Sequence, residues 1–459
     1  MTERWAVNGP TPGHRIGRRG WTREGLVAHA ATVFSHGPAR DARRAVFRTR
    51  LDASAADLEP FADPWFFAFR PPGAPVARAI GCVERCPVEA VVLLPGDACG
   101  SPGVGTGLVP DPRTLGAVRD WLAGLNLNTH CAVVAGFPVP TAAGAQVPLR
   151  LWLPQVWLVD PDPDDDDGVQ VVATVDRAQP ADDIADGLAR ALAPGSESPD
   201  PPPRPPGQPV AQVDLEGLVA RLAHPSAPTK VVAAWPEPVR VPLARRLWMA
   251  QVAAQRPGAW LADVRTPFAD FAVASPELLA RVVAGAVESL ALAGTLDGAG
   301  AVAPSLAAEH GAVADFVDHV LSTLGCAPTR TAAWHQDGPL RHRATRFVSA
   351  RPSGLDTLSV AIHLHPTPAL LGAPRGTALH WLTRAESVAR GWYGGFAGRL
   401  CANGSGEGEC AVLLRGVERT SAGDRTWAGA GLVAGCDPAV ERAEIERKHA
   451  AIRQAFGVA

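Results

Sequence analysis

Four stretches in the last quarter of the chain decide its reading: His365-Pro366-Thr367-Pro368-Ala369, Gly391-Trp392-Tyr393-Gly394-Gly395, Ala428-Gly429-Ala430-Gly431, and the run from Asp437-Pro438 through Glu444 to Lys448. Between them the sequence is glycine-rich and strand-like, with single charges on otherwise apolar faces. Alternation over 411–417 puts Arg415 on the face of Ala411, Leu413 and Val417. The segment closes on a helix, with Asp437 as cap and Pro438 in the first turn. Its stripe of Ile445, Ile452 and Phe456 contains Lys448 and is flanked by Glu444. Upstream, the spacing predicts a helix over 305–324. Glu309 lies one turn before Val313, on the face of Phe316, Val317 and Val320. Ionised groups in such places are costly unless paired or ligated. Together they offer two carboxylates to a hard divalent cation and two cations to a dianionic ligand.

The rest of the chain bounds the reading. At 459 residues it can bury one large core or two ordinary ones. A formal net charge of −3 leaves no electrostatic footprint for nucleic acid or an anionic membrane. The arginines of the first 50 residues are interspersed with acids and apolar residues and read as a solvated arm. No apolar run is long enough for a bilayer, and the start lacks the apolar core of a secretory signal. The eight cysteines are dispersed without zinc-site spacing, which suits inert thiols in a reducing cytoplasm. Gly103-Val104-Gly105-Thr106-Gly107 lacks the spacing and lysine of a phosphate loop and reads as a turn. The acidic run 160–167 lacks the pattern of a calcium loop and reads as a surface loop.

Residues 45–160 alternate short apolar runs with Pro and Gly, which predicts strands at 65–69, 90–94 and 149–159. A strand at 169–175 and a helix at 181–192 follow, then a Pro-rich linker or insertion over 193–211. Asp214 caps a helix carrying Leu215, Leu218, Val219 and Leu222. A strand from Lys230, a helix over 242–255 and a strand over 268–274 running into Ser275-Pro276-Glu277 complete this part. The expected organisation is an N-terminal part, 1–192, and a site-bearing region, 212–459.

At this point the residues resemble the chorismate-utilising enzymes, above all isochorismate synthases, and more distantly anthranilate synthase component I and salicylate synthase. The resemblance covers about 212–459. It rests on Lys230-Val-Val, Ser275-Pro-Glu-Leu-Leu279, Leu292-Ala-Gly-Thr295, Glu309-His310, His342, His365-Pro-Thr-Pro-Ala369, Trp392-Tyr-Gly-Gly395, Arg415, Ala428-Gly-Ala-Gly-Leu-Val433, and Asp437-Pro438 through Glu444 to Lys448. It implies an α+β fold of two large, mainly antiparallel sheets packed face to face with helices around the outside. The N-terminal part would add strands to it. It implies a monomer that binds chorismate and Mg2+. Water would add at C2 of chorismate while the C4 hydroxyl leaves. Lys230 would be the base, which burial favours by disfavouring the ammonium form, and Glu277 the acid. Glu309 and Glu444 would hold the metal. Arg415 and Tyr393 would hold the enolpyruvyl carboxylate, and Gly294, Thr295, His365, Gly429 and Lys448 would complete the substrate site.

Ala293 stands where aminodeoxychorismate synthases carry a nucleophilic lysine, and Lys230 favours water over ammonia as nucleophile. Leu296-Asp297-Gly298 replaces the arginine usual after Ala-Gly-Thr, Trp235 another usual arginine, and the segment before Glu309 is short. Salicylate synthase, which also uses water, is kept as an alternative, and the departures keep open a non-catalytic chorismate-binding descendant. The pathway served, menaquinone or siderophore, is open at this stage.

Overall fold

The computed structural model describes residues 15–16, 44–51, 66–74, 76–80, 82–95, 108–142, 144–159, 169–176, 210–241, 245–297, 304–337 and 340–458. The solvated arm beyond its short strands lies outside them. So do the turn expected at 103–107, the acidic run, the helix expected at 181–192, the Pro-rich stretch 193–209 and residues 298–303 of the segment before Glu309.

Two large sheets form the body, each of 12 strands among the described residues. The first runs, edge to edge, Arg15–Ile16, Arg44–Leu51, Val169–Asp176, Val156–Val159, Ala77–Ile80, Phe66–Arg70, Trp260–Thr266, Ala269–Ser275, Gly416–Thr420, Gly423–Leu432, Lys230–Pro238 and Gly372–Ala373. The second runs Thr329–Asp337, Leu340–Ala350, Ala286–Asp297, Leu278–Val283, Gly408–Val412, Phe396–Cys401, His130–Ala135, Gly144–Leu153, Ala90–Pro95 and Leu108–Pro110, with two short strands paired to Gly144–Leu153. Pairing is antiparallel apart from the parallel contact of the first two strands of the first sheet. Strands from before residue 177 thus pair directly with strands from after residue 210 in both sheets.

The inner faces of the two sheets meet through Phe67, Phe69, Trp157, Trp260 and Phe271 of the first and Val134, Trp152 and Ala397 of the second. The outer face of the second sheet is covered by the helices Pro112–Leu125, Pro304–Thr323 and Thr357–Leu364, through Val118, Val313, Val317, Leu358 and Ile362. The helices Arg245–Gln255 and Pro438–Phe456 cover the outer face of the first through Val252, Ile452 and Phe456. Each of these faces is one stripe of the helical or alternating pattern read from the sequence. Asp214 and Asp437 cap their helices, accepting from the backbone N–H of Gly217 and Ala439.

The apolar run 149–159 is not one strand. It breaks at Pro154-Gln155, where the chain leaves the second sheet and enters the first. The strand expected over 411–417 divides in the same way, between Gly408–Val412 and Gly416–Thr420. An apolar run is buried on either face, so its hydrophobicity does not show where it changes sheet.

Candidate active site

The site forms where the chain passes twice between the sheets. Ala269–Ser275 of the first sheet gives way to Leu278–Val283 of the second through Pro276-Glu277. Gly408–Val412 of the second gives way to Gly416–Thr420 of the first through Leu413–Arg415. These crossings lie side by side. The backbone N–H of Val412 donates to the carbonyl of Glu277 at 3.0 Å, and that of Ala274 to the carbonyl of Arg415 at 3.0 Å. Arg415 therefore does not sit in a regular strand. Its φ of +57° is in the left-handed region, where a non-glycine residue costs about 1–3 kcal/mol and persists only if its surroundings enforce it. The sheets part here, and a cavity opens between them, lined in part by Glu277, Gly294, Glu309, His342, Tyr393, Arg415, Trp427, Gly429, Glu444 and Lys448.

Glu277 is 1% exposed, and its Oε1 finds no hydrogen-bond donor among the described residues. Burial pushes its carboxyl up to about 8, opposed by the positive field of Lys230. At neutral pH it is a protonated acid facing a cavity. Lys230 opens the strand Lys230–Pro238 and is buried; its Nζ donates to Oε1 of Glu309 at 2.8 Å. Lys230 thus stands one contact behind the cavity wall. Gly431 makes room for this pair: a Cβ there would lie 2.6 Å from Cε of Lys230 and 2.8 Å from Oε1 of Glu309. With no side chain at Gly431, the strand Gly423–Leu432 passes close to the pair without displacing either side chain.

The final helix supplies the opposite wall. Nζ of Lys448 lies 2.6 Å from Oε1 of Glu444 and donates to the carbonyl of Gly429 at 2.7 Å. A Cβ on Gly429 would meet the carbonyl of Ala233 at 2.6 Å, so glycine is required there as well. Glu441, one turn before Glu444, is a further carboxylate in this group. Burial and the negative fields of Glu444 and Glu309 push it up to about 7. The sequence reading passed over Glu441, although its spacing of three from Glu444 places both on one helical face. With Lys230 and Lys448 bonded to Glu309 and Glu444, no metal-ligand cluster of three or more side chains converges among the described residues.

On the remaining side, Tyr393 stacks on Trp427 with ring centroids 5.4 Å apart and planes 10° apart. Burial pushes the Tyr393 phenol up, so it is a neutral hydrogen-bond donor. A guanidinium nitrogen of Arg415, Nη2, lies 3.1 Å from Nε2 of His342. Burial, and then the charge of Arg415, hold that imidazole well below its usual range, so it stays neutral. Gly294 sits at a register shift of the strand Ala286–Asp297 with φ +75°, a conformation suited to glycine. Arg390 braces the floor, donating to the carbonyls of Leu370 and Val232 and pairing with Glu386.

The structure thus gathers Glu277, Gly294, Glu309, Tyr393, Arg415, Gly429, Glu444 and Lys448 around one cavity, with Lys230 directly behind. The backbone of Thr295 is adjacent, paired with His342 across the sheet. His365 is the exception. It is fully buried away from the cavity, bonded through Nε2 to the carbonyl of Gly136 at 3.0 Å and packed edge-on against Phe396. Burial drives its pKa down to about 3, leaving a neutral structural residue. The Pro-Thr-Pro-Ala stretch therefore shapes the floor through Ala369, which does line the cavity, and not through its histidine.

The two-sheet architecture is that of the chorismate-utilising enzymes. The menaquinone-specific isochorismate synthase MenF of Escherichia coli superposes with a TM-score of 0.70 over 95% of this chain and 98% of its own, at 18% identity. Anthranilate synthase component I from Streptococcus pneumoniae superposes with a TM-score of 0.60 over 84% of this chain and 93% of its own, at 16% identity. The profile of the family described as chorismate binding enzyme matches residues 227–457, half of the chain. The protein belongs to that family. The salicylate biosynthesis isochorismate synthase of Pseudomonas aeruginosa is 32% identical over 223 residues, which are 44% of this chain and 45% of that protein. Isochorismate synthase MenF of Escherichia coli (strain K12) is 40% identical over 95 residues, 20% of this chain and 21% of its own. The matched part thus spans less than half the length of these curated relatives.

Proposed function

We propose that the protein is an isochorismate synthase that requires Mg2+. The observation that carries this reading is Glu277: a buried acid, protonated at neutral pH, on the wall of a cavity that also holds separate cations for two carboxylates. Addition of water to C2 of chorismate with loss of the C4 hydroxyl needs an acid to protonate the departing oxygen. Glu277 has the proton to give. In this reading Lys230 acts as the neutral amine, released from its contact with Glu309, and takes the water's proton; the ring double bonds shift as the protonated C4 hydroxyl leaves, so the product is an isomer with no net uptake of protons. Arg415 and the Tyr393 phenol take the enolpyruvyl carboxylate. Glu309 and Glu444, with Glu441, are the residues that would hold the metal. Burial first, and then the nearby Glu444 and Glu309 carboxylates, raise Glu441 to about 7, and a divalent cation would neutralise that excess of carboxylate. When bound, the metal supplies positive charge to the ring carboxylate. Relatives whose names carry this activity, including isochorismate synthases MenF, DhbC and EntC, support the same reading.

The test is incubation with chorismate and Mg2+, following isochorismate by chromatography. The wild type is expected to form isochorismate without pyruvate, and Lys230→Ala to lose turnover. Pyruvate release would point to a salicylate synthase. Chorismate bound with no product would overturn the enzymatic reading.

A further inference from the structure

Thr329 to Trp334, on the edge strand Thr329–Asp337 of the second sheet, are exposed, yet Asp337 at its end is buried. A buried carboxylate on a surface strand needs cations. It has two. Its Oδ1 accepts from Nη1 of Arg256 at 2.7 Å, and its Oδ2 lies 3.4 Å from Nε of Arg415. Arg256 is buried just past the helix Arg245–Gln255 and donates through Nη2 to the carbonyl of Ala451 in the final helix. One carboxylate thus ties together the edge hairpin, two helices of the opposite sheet and the crossing that carries Arg415. With Nε facing Asp337 and Nη2 facing His342, the guanidinium has one nitrogen left. That nitrogen, Nη1, is buried and has no partner among the described residues.

We propose that Asp337 is a positioning residue for anion recognition. It fixes the plane of the Arg415 guanidinium so that Nη1 is presented to the substrate's side-chain carboxylate, while Arg256 shares Asp337 and keeps it from cancelling the charge of Arg415. Two guanidiniums against one carboxylate, beside a neutral His342, leave one positive charge unbalanced in the cavity wall. A carboxylate of the ligand completes the set, and a charge-assisted contact to Nη1 needs the guanidinium held in one orientation. Asp337 does not line the cavity and acts only through Arg415.

The inference rests on chorismate being the substrate, and the experiment separates the two. KM and kcat for chorismate are measured beside the inhibition constant of the analogue that lacks the enolpyruvyl group and so has only the ring carboxylate. For Asp337→Asn we expect KM for chorismate to rise tenfold or more, with kcat and the analogue's inhibition constant within about threefold of wild type. Asp337→Glu should recover part of the loss. An unchanged KM, or equal weakening of both ligands, would overturn the proposal. If Asp337→Asn does not fold, Arg256→Met carries the same test: Asp337 then neutralises Arg415 alone, and the chorismate-selective rise in KM must still appear. If the wild type neither binds nor converts chorismate, the functional reading fails before this one is reached.

Discussion

Replacing Glu277 by glutamine should destroy activity and stabilise the protein, and the second effect should depend on pH. The side chain is 1% exposed, Oε1 has no donor, and the carboxyl is pushed up to about 8 from an ordinary value of 4.5. Below 4.5 the folded and unfolded chains both hold the proton, and burial of the neutral acid carries no ionisation penalty. Between 4.5 and about 8 the unfolded chain releases the proton and the folded chain keeps it. The unfolded state then binds one proton fewer, so stability falls by about 1.4 kcal/mol per pH unit through this window and is level again above it. At pH 7 the accumulated loss is about 3 kcal/mol. Glutamine matches the neutral acid in shape and cannot ionise. The difference in unfolding free energy between Glu277→Gln and wild type, measured in urea, should therefore grow in the variant's favour from pH 5 to pH 8. The constant cost of the new amide drops out of the slope. Turnover should fall by about 10²-fold or more, the usual worth of a general acid. In the wild type, kcat should decline on the alkaline side through about pH 8 as the acid is lost. A stability difference that does not vary with pH would refute the reasoning, because it would mean that Glu277 is ionised in the folded protein.

Three other outcomes follow from the geometry. Gly431→Ala should drive Lys230 and Glu309 apart, since the new Cβ would sit 2.6 Å from Cε of Lys230; kcat should fall tenfold or more in steady-state assays while the melting temperature stays close to wild type. Glu441→Gln should weaken Mg2+ binding about tenfold by calorimetric titration, the usual range for groups supporting a metal site. His365→Ala should cost about 1–3 kcal/mol in denaturant unfolding, because the carbonyl of Gly136 loses its partner, with KM for chorismate unchanged in the residual folded enzyme; a selective rise in KM would return His365 to the substrate site.

Much of the site was legible because it violates the rules of the elements around it. Glu309, Glu444 and Lys448 interrupt apolar helical stripes, and the structure finds each of them on the cavity wall. Glu441 could have been read from the same helical spacing. Gly431 and Gly429 were visible as glycines in a strand, though not what they make room for: the Lys230–Glu309 pair in one case and the carbonyl of Ala233 in the other. Asp337 and Arg256 gave no signal, since they lie 81 positions apart and each is an ordinary residue at the end of an element. His365 misled for the opposite reason. A histidine in a distinctive stretch does not reveal by itself whether its ring faces ligand or backbone.

The sequence alone determined local order: caps at Asp214 and Asp437, helical stripes, short alternating strands, and the family resemblance carried by motifs in a fixed order. Those are short-range properties, set by periods of two and 3.6 residues and by turn chemistry. Only the tertiary structure decided where the chain changes sheet, at Pro154-Gln155, Pro276-Glu277 and Leu413–Arg415. The reason is physical. A strand buried on either face has the same composition whichever sheet it joins, and the choice is made by pairing with other strands, which at the two site crossings lie more than a hundred residues away. Two of those crossings carry Glu277 and Arg415. The acid and the anion-binding guanidinium owe their burial, and with it their chemistry, to long-range pairing that no local pattern encodes.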